Sequence, residues 1–170
     1  MTSLRITGGV PLSGQVTVRG AKNLVPKAMV AALLGSTPST LGNVPEIKDV
    51  EVVTDLLALH GVDVTRDDAL GQLTLDPTNV TRARHSDIDA HAGDSRIPIL
   101  LCGPLLHALG EAFIPDLGGC RIGDRPINYH LEVLRNFGAE VDKLPSGIRM
   151  IAPKGLKLSL IHISEPTRPY

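Results

Sequence analysis

The sequence predicts an α/β protein built from a repeated unit. Two helical patterns end at Gly61 and Gly138, roughly 75 residues apart, and each is followed by two short strand-like runs with a turn between them. Within each unit another helical pattern comes first: these two patterns end at Gly35 and Gly110, again about 75 residues apart, and each leads into one short strand. The unit is therefore helix, strand, helix, strand, strand, and it occurs twice. Helices that alternate with strands are typical of an α/β architecture.

The first unit follows from apolar periodicity and from helix start and stop signals. Apolar residues at helical spacing run up to Gly35, where glycine ends the helix. Asp49 is expected to be the N-cap of the second helix, and Gly61 its C-terminal stop. The predicted elements are helix 25–34, strand 39–41, helix 50–60, and strands 62–65 and 72–75.

The second unit repeats this order. Its second helix begins after Pro126, which fits the first turn of a helix, and stops at Gly138. A turn at 145–147, Pro-Ser-Gly, separates the last two strands. The predicted elements are helix 97–109, strand 111–114, helix 127–137, and strands 139–142 and 148–151.

Composition limits the functions that are open to the chain. With 170 residues, 42% of them hydrophobic, and a net charge of −1, it can form one domain with a core, and the charge gives no support to a nucleic-acid or membrane-surface role. No apolar run approaches the roughly 20 residues that span a bilayer, and the N-terminus lacks an apolar signal core, so we expect a cytoplasmic protein. Cys102 and Cys120 are too few for a disulfide framework.

The run 118–126, Gly-Gly-Cys-Arg-Ile-Gly-Asp-Arg-Pro, carries the strongest chemical signal. Glycines beside Cys120 let the backbone move and approach a ligand, and the guanidinium groups of Arg121 and Arg125 favour the thiolate. The following helix start at Pro126 would attract anions. The pattern suits a small anionic substrate, but a surface turn with an incidental cysteine remains open on spacing alone.

Three segments together resemble one family. They are Gly20-Ala21-Lys22-Asn23, the run 43–50, and the run 118–126 with His130 downstream. They are similar to the UDP-N-acetylglucosamine 1-carboxyvinyltransferases, a family of enolpyruvyl transferases, and the likeness extends from about residue 4 to residue 157. It implies an inside-out α/β barrel fold, as in EPSP synthase, with two domains of three units each and the helices inside. By this resemblance residues 20–157 form a partial domain of two units, and residues 1–19 belong to the other domain.

The resemblance also implies a reaction and its residues. The enolpyruvyl group of phosphoenolpyruvate would pass to the 3′-hydroxyl of UDP-N-acetylglucosamine, opening peptidoglycan synthesis, with Cys120 as general acid and as the target of fosfomycin. No metal, cofactor, nucleic acid or membrane is implied as a partner, and the oligomeric state stays open. The implied contacts are Lys22, Asn23 and Arg125 to phosphoenolpyruvate, and Arg96, Arg125, Pro126, Ile127, Asn128 and Tyr129 to the nucleotide sugar.

Each assignment has a simpler alternative. A lysine such as Lys22 is by itself most often solvated, and Arg96 could be a first-turn arginine beside a helix cap. Cys102 lies in an apolar run and is expected in the core. His130 could position a helix as well as act in chemistry. The six histidines show no tight metal-ligand spacing.

The last residues, 158–170, depart from everything before them. We expect them to match no part of the family, and they look like a translated sequencing adapter. The natural sequence is therefore expected to end near Lys157. A natural divergent tail is the alternative. The family's aspartate base for the sugar hydroxyl, a further phosphoenolpyruvate arginine and the third unit are absent from this sequence. We therefore expect a fragment that is inactive alone.

Two rival functions remain. The first is 3-phosphoshikimate 1-carboxyvinyltransferase, which shares the fold and the cosubstrate, although Cys120 and the Ala21-Lys22-Asn23 sequence count against it. The second is a non-catalytic α/β fragment that binds a nucleotide sugar or nothing.

Overall fold

The structure, a computed structural model, describes residues 3–9, 11–93, 95–118 and 126–157. Two 3-10 helices accompany the regular elements, one directly after the first α-helix, Ala32–Leu34, and one directly before the fourth, Ile97–Leu101. In chain order the elements are α1 (Val25–Ala31), β1 (Ser39–Leu41), α2 (Lys48–Leu59), β2 (Asp63–Asp67), β3 (Gln72–Asp76), α3 (His85–Asp89), α4 (Cys102–Leu109), β4 (Glu111–Pro115), α5 (Asn128–Asn136), β5 (Glu140–Leu144) and β6 (Gly147–Ile151).

The repeated α/β unit is confirmed by the sheet topology. Strands β1, β3 and β2 form one antiparallel sheet in that order, and β4, β6 and β5 form a second sheet with the same order. In each unit the strand after the first helix pairs with the last strand, which lies in the middle of its sheet. The six strands in the described part of the chain lie where the sequence predicts them, with ends that differ by at most two residues.

The predicted helix 97–109 is present in two parts. Its first turn is the 3-10 helix Ile97–Leu101, and α4 follows at Cys102. Pro104 lacks the N–H that would donate to the carbonyl of Leu100, so an unbroken α-helical ladder cannot pass this point. Pro104 therefore explains why the segment begins as a 3-10 helix and continues as an α-helix.

The start of α2 corrects the expected cap. The helix begins at Lys48, and Val50 N already donates to Ile47 O at 3.0 Å, so Asp49 lies in the first turn and is not the N-cap. Ile47 occupies the cap position without a side-chain hydrogen bond. The carboxylate still lies at the positive end of the helix dipole, which is a favourable place for it. A further helix, α3, was not predicted, because five residues are too few to show a helical period.

Helix faces supply the centre of the core. Met29 of α1 and Val50, Val53 and Leu57 of α2 have no exposed surface, and Leu105 of α4 is 1% exposed. Helix α1 contacts α2 and both 3-10 helices, while α4 packs against the 3-10 helix that follows α1. The buried residues of both units therefore form a single apolar cluster.

The first sheet covers this core with one face and leaves the other largely outside, whereas β4 of the second sheet is buried at four consecutive positions. In β3 the side chains of Leu73 and Leu75 are buried, whereas Gln72 is exposed and the alternating residues Thr74 and Asp76 are half-buried. Strand β2 is exposed at every position except the half-buried Val64. The first sheet therefore agrees with the arrangement of helices inside and sheets outside that the resemblance implies.

The described part of the N-terminal segment, residues 3–9 and 11–19, contains no helix or strand. Its apolar side chains are exposed, with Leu4, Ile6 and Leu12 each at 89% or more. That residues 1–19 belong to another domain stays a prediction. Within the described ranges no helix is both long enough and apolar enough to cross a membrane.

The core assignment predicts different costs for two leucines of the same sheet region. Leu75→Ala should lower the free energy of unfolding by about 2–5 kcal/mol, because Leu75 is fully buried and its truncation leaves a cavity. Leu70→Ala is the control, since Leu70 is 65% exposed and should change stability by no more than about 0.5 kcal/mol. Urea denaturation measures both variants. Equal losses would show that the core lies elsewhere.

Candidate active site

Lys22 and Asn23 lie in the turn that leads into α1. Leu24 N donates to Ala21 O at 3.0 Å and closes this turn, and both side chains are exposed. Lys22 Nζ lies 3.6 Å from Asp49 Oδ2. Lys27, one helical turn further on, donates from Nζ to the backbone oxygen of Asn23 at 2.7 Å. The lysine that the sequence predicts to bind an anion is therefore accessible and lies beside a carboxylate.

The run 43–50 is brought against this turn by backbone contacts. Gly20 N donates to Asn43 O at 3.0 Å, and Asn43 adopts a left-handed conformation with φ of 55°. A Cβ on Gly20 would collide with the Asn43 carbonyl, so glycine is required there. Val44 N donates to Gly71 O at 2.9 Å and fixes the other side of the run. Two of the three segments that carry the resemblance are thus adjacent in space.

Arg96 lies at the start of the second unit's first helix. The Ser95 hydroxyl oxygen accepts a hydrogen bond from Ile97 N at 3.1 Å. Arg96 itself occupies the N-cap position of the 3-10 helix, so it is not a first-turn arginine beside a cap, and its side chain is half-buried. The 3-10 helix that follows Arg96 packs against α1, the helix that follows Lys22.

The loop before Cys120 is hydrogen-bonded to the loop before Arg96. Gly93 N donates to Asp116 O at 2.8 Å, and Gly118 N donates to Ser95 O at 3.2 Å. A Cβ on Gly118 would overlap the backbone of Gly93, so this approach needs glycine. The chain that leads to Cys120 therefore begins directly beside the segment that carries Arg96.

Several predicted residues lie outside the described part of the chain. Cys120 and Arg125, like the rest of 119–125, are among them. The segment resumes at Pro126, and α5 begins at Asn128. Pro126 and Asn128 are exposed, Ile127 is half-buried and Tyr129 is 74% exposed. The roles of all these residues stay predictions.

Cys102 is confirmed as a core residue. Its side chain is 3% exposed, and burial raises the pKa of the thiol to about 12. A thiol with such a pKa remains protonated and unreactive at neutral pH. Cys102 is therefore a suitable internal comparison for any reaction at Cys120.

A second polar cluster lies between the two units. His60, at the end of α2, is 5% exposed, and its Nδ1 lies 3.1 Å from Thr81 O; burial lowers its pKa. His85 stacks on Phe113 with ring centroids 4.2 Å apart. Together with Glu111 they line a cavity of about 90 Å³. Among the residues that the structure describes, no three His, Cys, Asp or Glu side chains group closely enough to hold a metal ion.

Asp49 is the site residue that sequence reasoning missed. It was interpreted only as a helix cap, yet the structure places its carboxylate beside Lys22. A local signal was available, because Asp49 belongs to the run 43–50 that carries the resemblance. The partner, 27 positions earlier in the chain, could not be read from spacing.

The chain matches one protein-family model over most of its length. The sequence model of EPSP synthase (3-phosphoshikimate 1-carboxyvinyltransferase) matches residues 6–167, and the chain belongs to this family. The match ends inside the tail 158–170, contrary to our expectation that the tail matches no part of the family. The non-native origin of the tail stays a prediction.

Curated relatives share about two fifths of their residues with this chain over the aligned regions. The UDP-N-acetylglucosamine 1-carboxyvinyltransferase of Protochlamydia amoebophila is 38% identical over 174 residues, which cover 98% of this chain and 37% of the relative. The enzyme of the same name from Acidiphilium cryptum is 41% identical over 156 residues, covering 92% of this chain and 36% of the relative. The chain thus spans little more than a third of the length of these relatives.

Solved structures share the fold. The enolpyruvyl transferase NikO from Streptomyces tendae superposes with a TM-score of 0.70 at 22% identity, covering 88% of this chain and 32% of that one. The EPSP synthase of Acinetobacter baumannii gives 0.64 at 17% identity, covering 85% and 33%. At these identities the likeness establishes the α/β fold.

The contact between Gly118 and Gly93 generates a prediction. Gly118→Ala should lower the free energy of unfolding by about 2 kcal/mol or more, because the new methyl group has to displace backbone. Gly42→Ala is the control, since a Cβ there meets no atom within 4 Å. Urea denaturation of the two variants measures the difference. A neutral Gly118→Ala would mean that the two loops are not held together.

Proposed function

We propose that this chain forms part of an enzyme that transfers the enolpyruvyl group of phosphoenolpyruvate to the 3′-hydroxyl of UDP-N-acetylglucosamine, the first committed step of peptidoglycan synthesis. The observation that carries the proposal is the likeness of 36–41% to relatives named for this reaction, over 92–98% of the chain. The arrangement of Lys22, Arg96 and the loop toward Cys120 supports it. Because both substrates carry phosphate and do not cross a bilayer unaided, we place the reaction in the cytoplasm.

The proposed chemistry is addition followed by elimination. Cys120 delivers a proton to the methylene carbon of phosphoenolpyruvate while the sugar oxygen attacks the neighbouring carbon and gives its proton to the family's aspartate base, which the rest of the full-length enzyme supplies. The thiolate left on Cys120 then takes a proton back from the methyl group as phosphate leaves, which restores the double bond. A thiol is a sufficient acid for this step when its pKa is matched to the working pH.

Cations hold the anionic cosubstrate. Phosphoenolpyruvate carries a phosphate and a carboxylate, and Lys22 and Arg125 are its proposed counter-charges, with Asn23 beside them. Arg96 and the segment 126–129 are proposed to contact the nucleotide sugar. The hydrogen bond from Gly118 N to Ser95 O supports placing Arg96 at the same site as Cys120, since it joins the start of the Cys120 loop to the segment that carries Arg96.

Two other functions are weighed against this one. The family match is named for the shikimate enzyme, and that activity remains the alternative, although Cys120 and the sequence before Asn23 count against it. We also propose that the 170-residue chain has no activity alone, because the relatives are almost three times as long. Kinetic tests therefore use a hybrid enzyme, in which residues 1–157 replace the matching part of the Acidiphilium cryptum relative.

Lys22→Ala in the hybrid enzyme should lower kcat/KM for phosphoenolpyruvate on the order of a hundredfold or more, because one fixed charge at the reacting anion is lost. Lys143→Ala is the control, since Lys143 is an exposed lysine of β5. Phosphate release measures the rate. If Lys22→Ala stays within a few-fold of Lys143→Ala, Lys22 is an ordinary surface lysine.

Cys120→Ser in the hybrid enzyme should reduce turnover on the order of a thousandfold, because a hydroxyl is far too weak an acid to protonate carbon. Cys120→Asp should retain much more, provided that the site keeps the carboxyl protonated. Fosfomycin should inactivate the parent hybrid and leave the aspartate variant unmodified, as mass spectrometry would show.

Cys102→Ala is the control for both thiol readouts and should keep turnover and labelling. A serine variant as fast as the parent, or fosfomycin attached to Cys102, would contradict the assignment of Cys120.

A further inference from the structure

The Asp49 carboxylate is placed for a role other than helix capping. It does not occupy the cap position, since α2 begins one residue earlier and Ile47 is the N-cap. Its Oδ2 instead lies 3.6 Å from Lys22 Nζ. The Asp49 side chain is 23% exposed, whereas that of Lys22 is 68% exposed. The more buried partner of the pair is therefore the acid, and the more exposed partner is the lysine.

Backbone contacts fix where the two groups meet. The hydrogen bond from Gly20 to Asn43 joins the segments two residues before Lys22 and six before Asp49. The contact of Val44 with Gly71 holds the same run from the other side. Because these bonds do not depend on either charged side chain, loss of the carboxylate should leave the segments in place.

The two lysines of this region have different partners. Lys27 donates to the backbone oxygen of Asn23, and only Lys22 is placed at Asp49. A separation of 3.6 Å is longer than a charge-assisted hydrogen bond, and Lys22 is largely in water. Such a pair is weak enough to yield to a doubly charged anion.

We propose that Asp49 is a positioning residue for Lys22: it holds the ammonium group in place before phosphoenolpyruvate binds and releases it to the anion. The inference rests on the proposed function of Lys22. A lysine has four rotatable side-chain bonds, and binding an anion with an unrestrained lysine costs their freedom. Pairing with Asp49 removes part of that cost beforehand.

The helix dipole offers a competing explanation, and the chain supplies its control. Glu51 lies in the same first turn of α2 as Asp49, so both acids interact favourably with the dipole. Glu51 is exposed, and Asp49 is the first-turn acid that pairs with Lys22. A dipole effect on stability should appear in both variants, whereas an effect through Lys22 should appear only at Asp49.

The test compares Asp49→Asn, Asp49→Glu and Glu51→Gln in the hybrid enzyme, each with and without Lys22→Met. Asp49→Asn should lower kcat/KM for phosphoenolpyruvate about fivefold, mainly by raising KM for that substrate and leaving KM for UDP-N-acetylglucosamine unchanged. Asp49→Glu should recover part of the loss, and Glu51→Gln should stay within about twofold of the parent. In the Lys22→Met background, Asp49→Asn should have no further effect.

A second measurement uses the 170-residue chain and needs no catalysis. The NMR order parameter of the Lys22 Cε group should fall in Asp49→Asn and stay unchanged in Glu51→Gln. An unchanged order parameter in Asp49→Asn would overturn the pairing.

The kinetic outcomes separate two failures. If Lys22→Met leaves kcat/KM unchanged, the proposed role of Lys22 is wrong, and a catalytic consequence of Asp49 falls with it. If Lys22→Met reduces kcat/KM but Asp49→Asn matches Glu51→Gln, only the inference about Asp49 is wrong. An equal loss from Asp49→Asn with and without Lys22 would mark a purely structural role and also overturn the inference.

Discussion

Burial of the helices of both units in one apolar cluster is the constraint on which the rest of the structure depends. Helix α1 packs against α2 and against the 3-10 helix of the second unit, so neither unit has a core of its own. The hydrophobic effect fixes these helices because Met29, Val53 and Leu57 lose all contact with water. Both sheets pack against these helices, and the segments that lead into the helices carry Lys22 and Arg96 of the candidate site.

The site itself is assembled by close backbone approaches. Gly20 against Asn43 joins the turn of Lys22 to the start of α2, and Gly118 against Gly93 joins the Cys120 loop to the segment of Arg96. At both places a side chain larger than hydrogen would collide with backbone. The glycines near the predicted catalytic residues therefore have a packing reason that is independent of loop motion.

The sequence predicted the elements because their signals are local. Apolar periods and glycine stops located the four long helical segments, and the two units confirmed one another. The errors have local causes as well. An aspartate just before an apolar run resembles a cap, so the predicted α2 begins at residue 50, two residues later than the observed start at Lys48. Pro104, which lacks a backbone N–H, explains the 3-10 helix before Cys102.

The candidate site was only partly predictable. Lys22 is predicted from a segment that carries the family resemblance, whereas Arg96 is predicted only as a contact that the resemblance implies. The pairing of Lys22 with Asp49 was missed because it depends on two distant segments meeting, which no local pattern encodes. Tyr129 and Cys102 both count as hydrophobic residues in the composition, yet Tyr129 is exposed and Cys102 is buried, because burial depends on packing in the folded chain.

The central claim concerns the acceptor substrate, because the chain belongs to a family named for one acceptor while its curated relatives are named for another. The most direct measurement supplies the hybrid enzyme with phosphoenolpyruvate and either UDP-N-acetylglucosamine or shikimate 3-phosphate, and follows phosphate release. The account predicts turnover with UDP-N-acetylglucosamine and none with shikimate 3-phosphate. Turnover with shikimate 3-phosphate alone, or none with either acceptor from a folded hybrid, would contradict it.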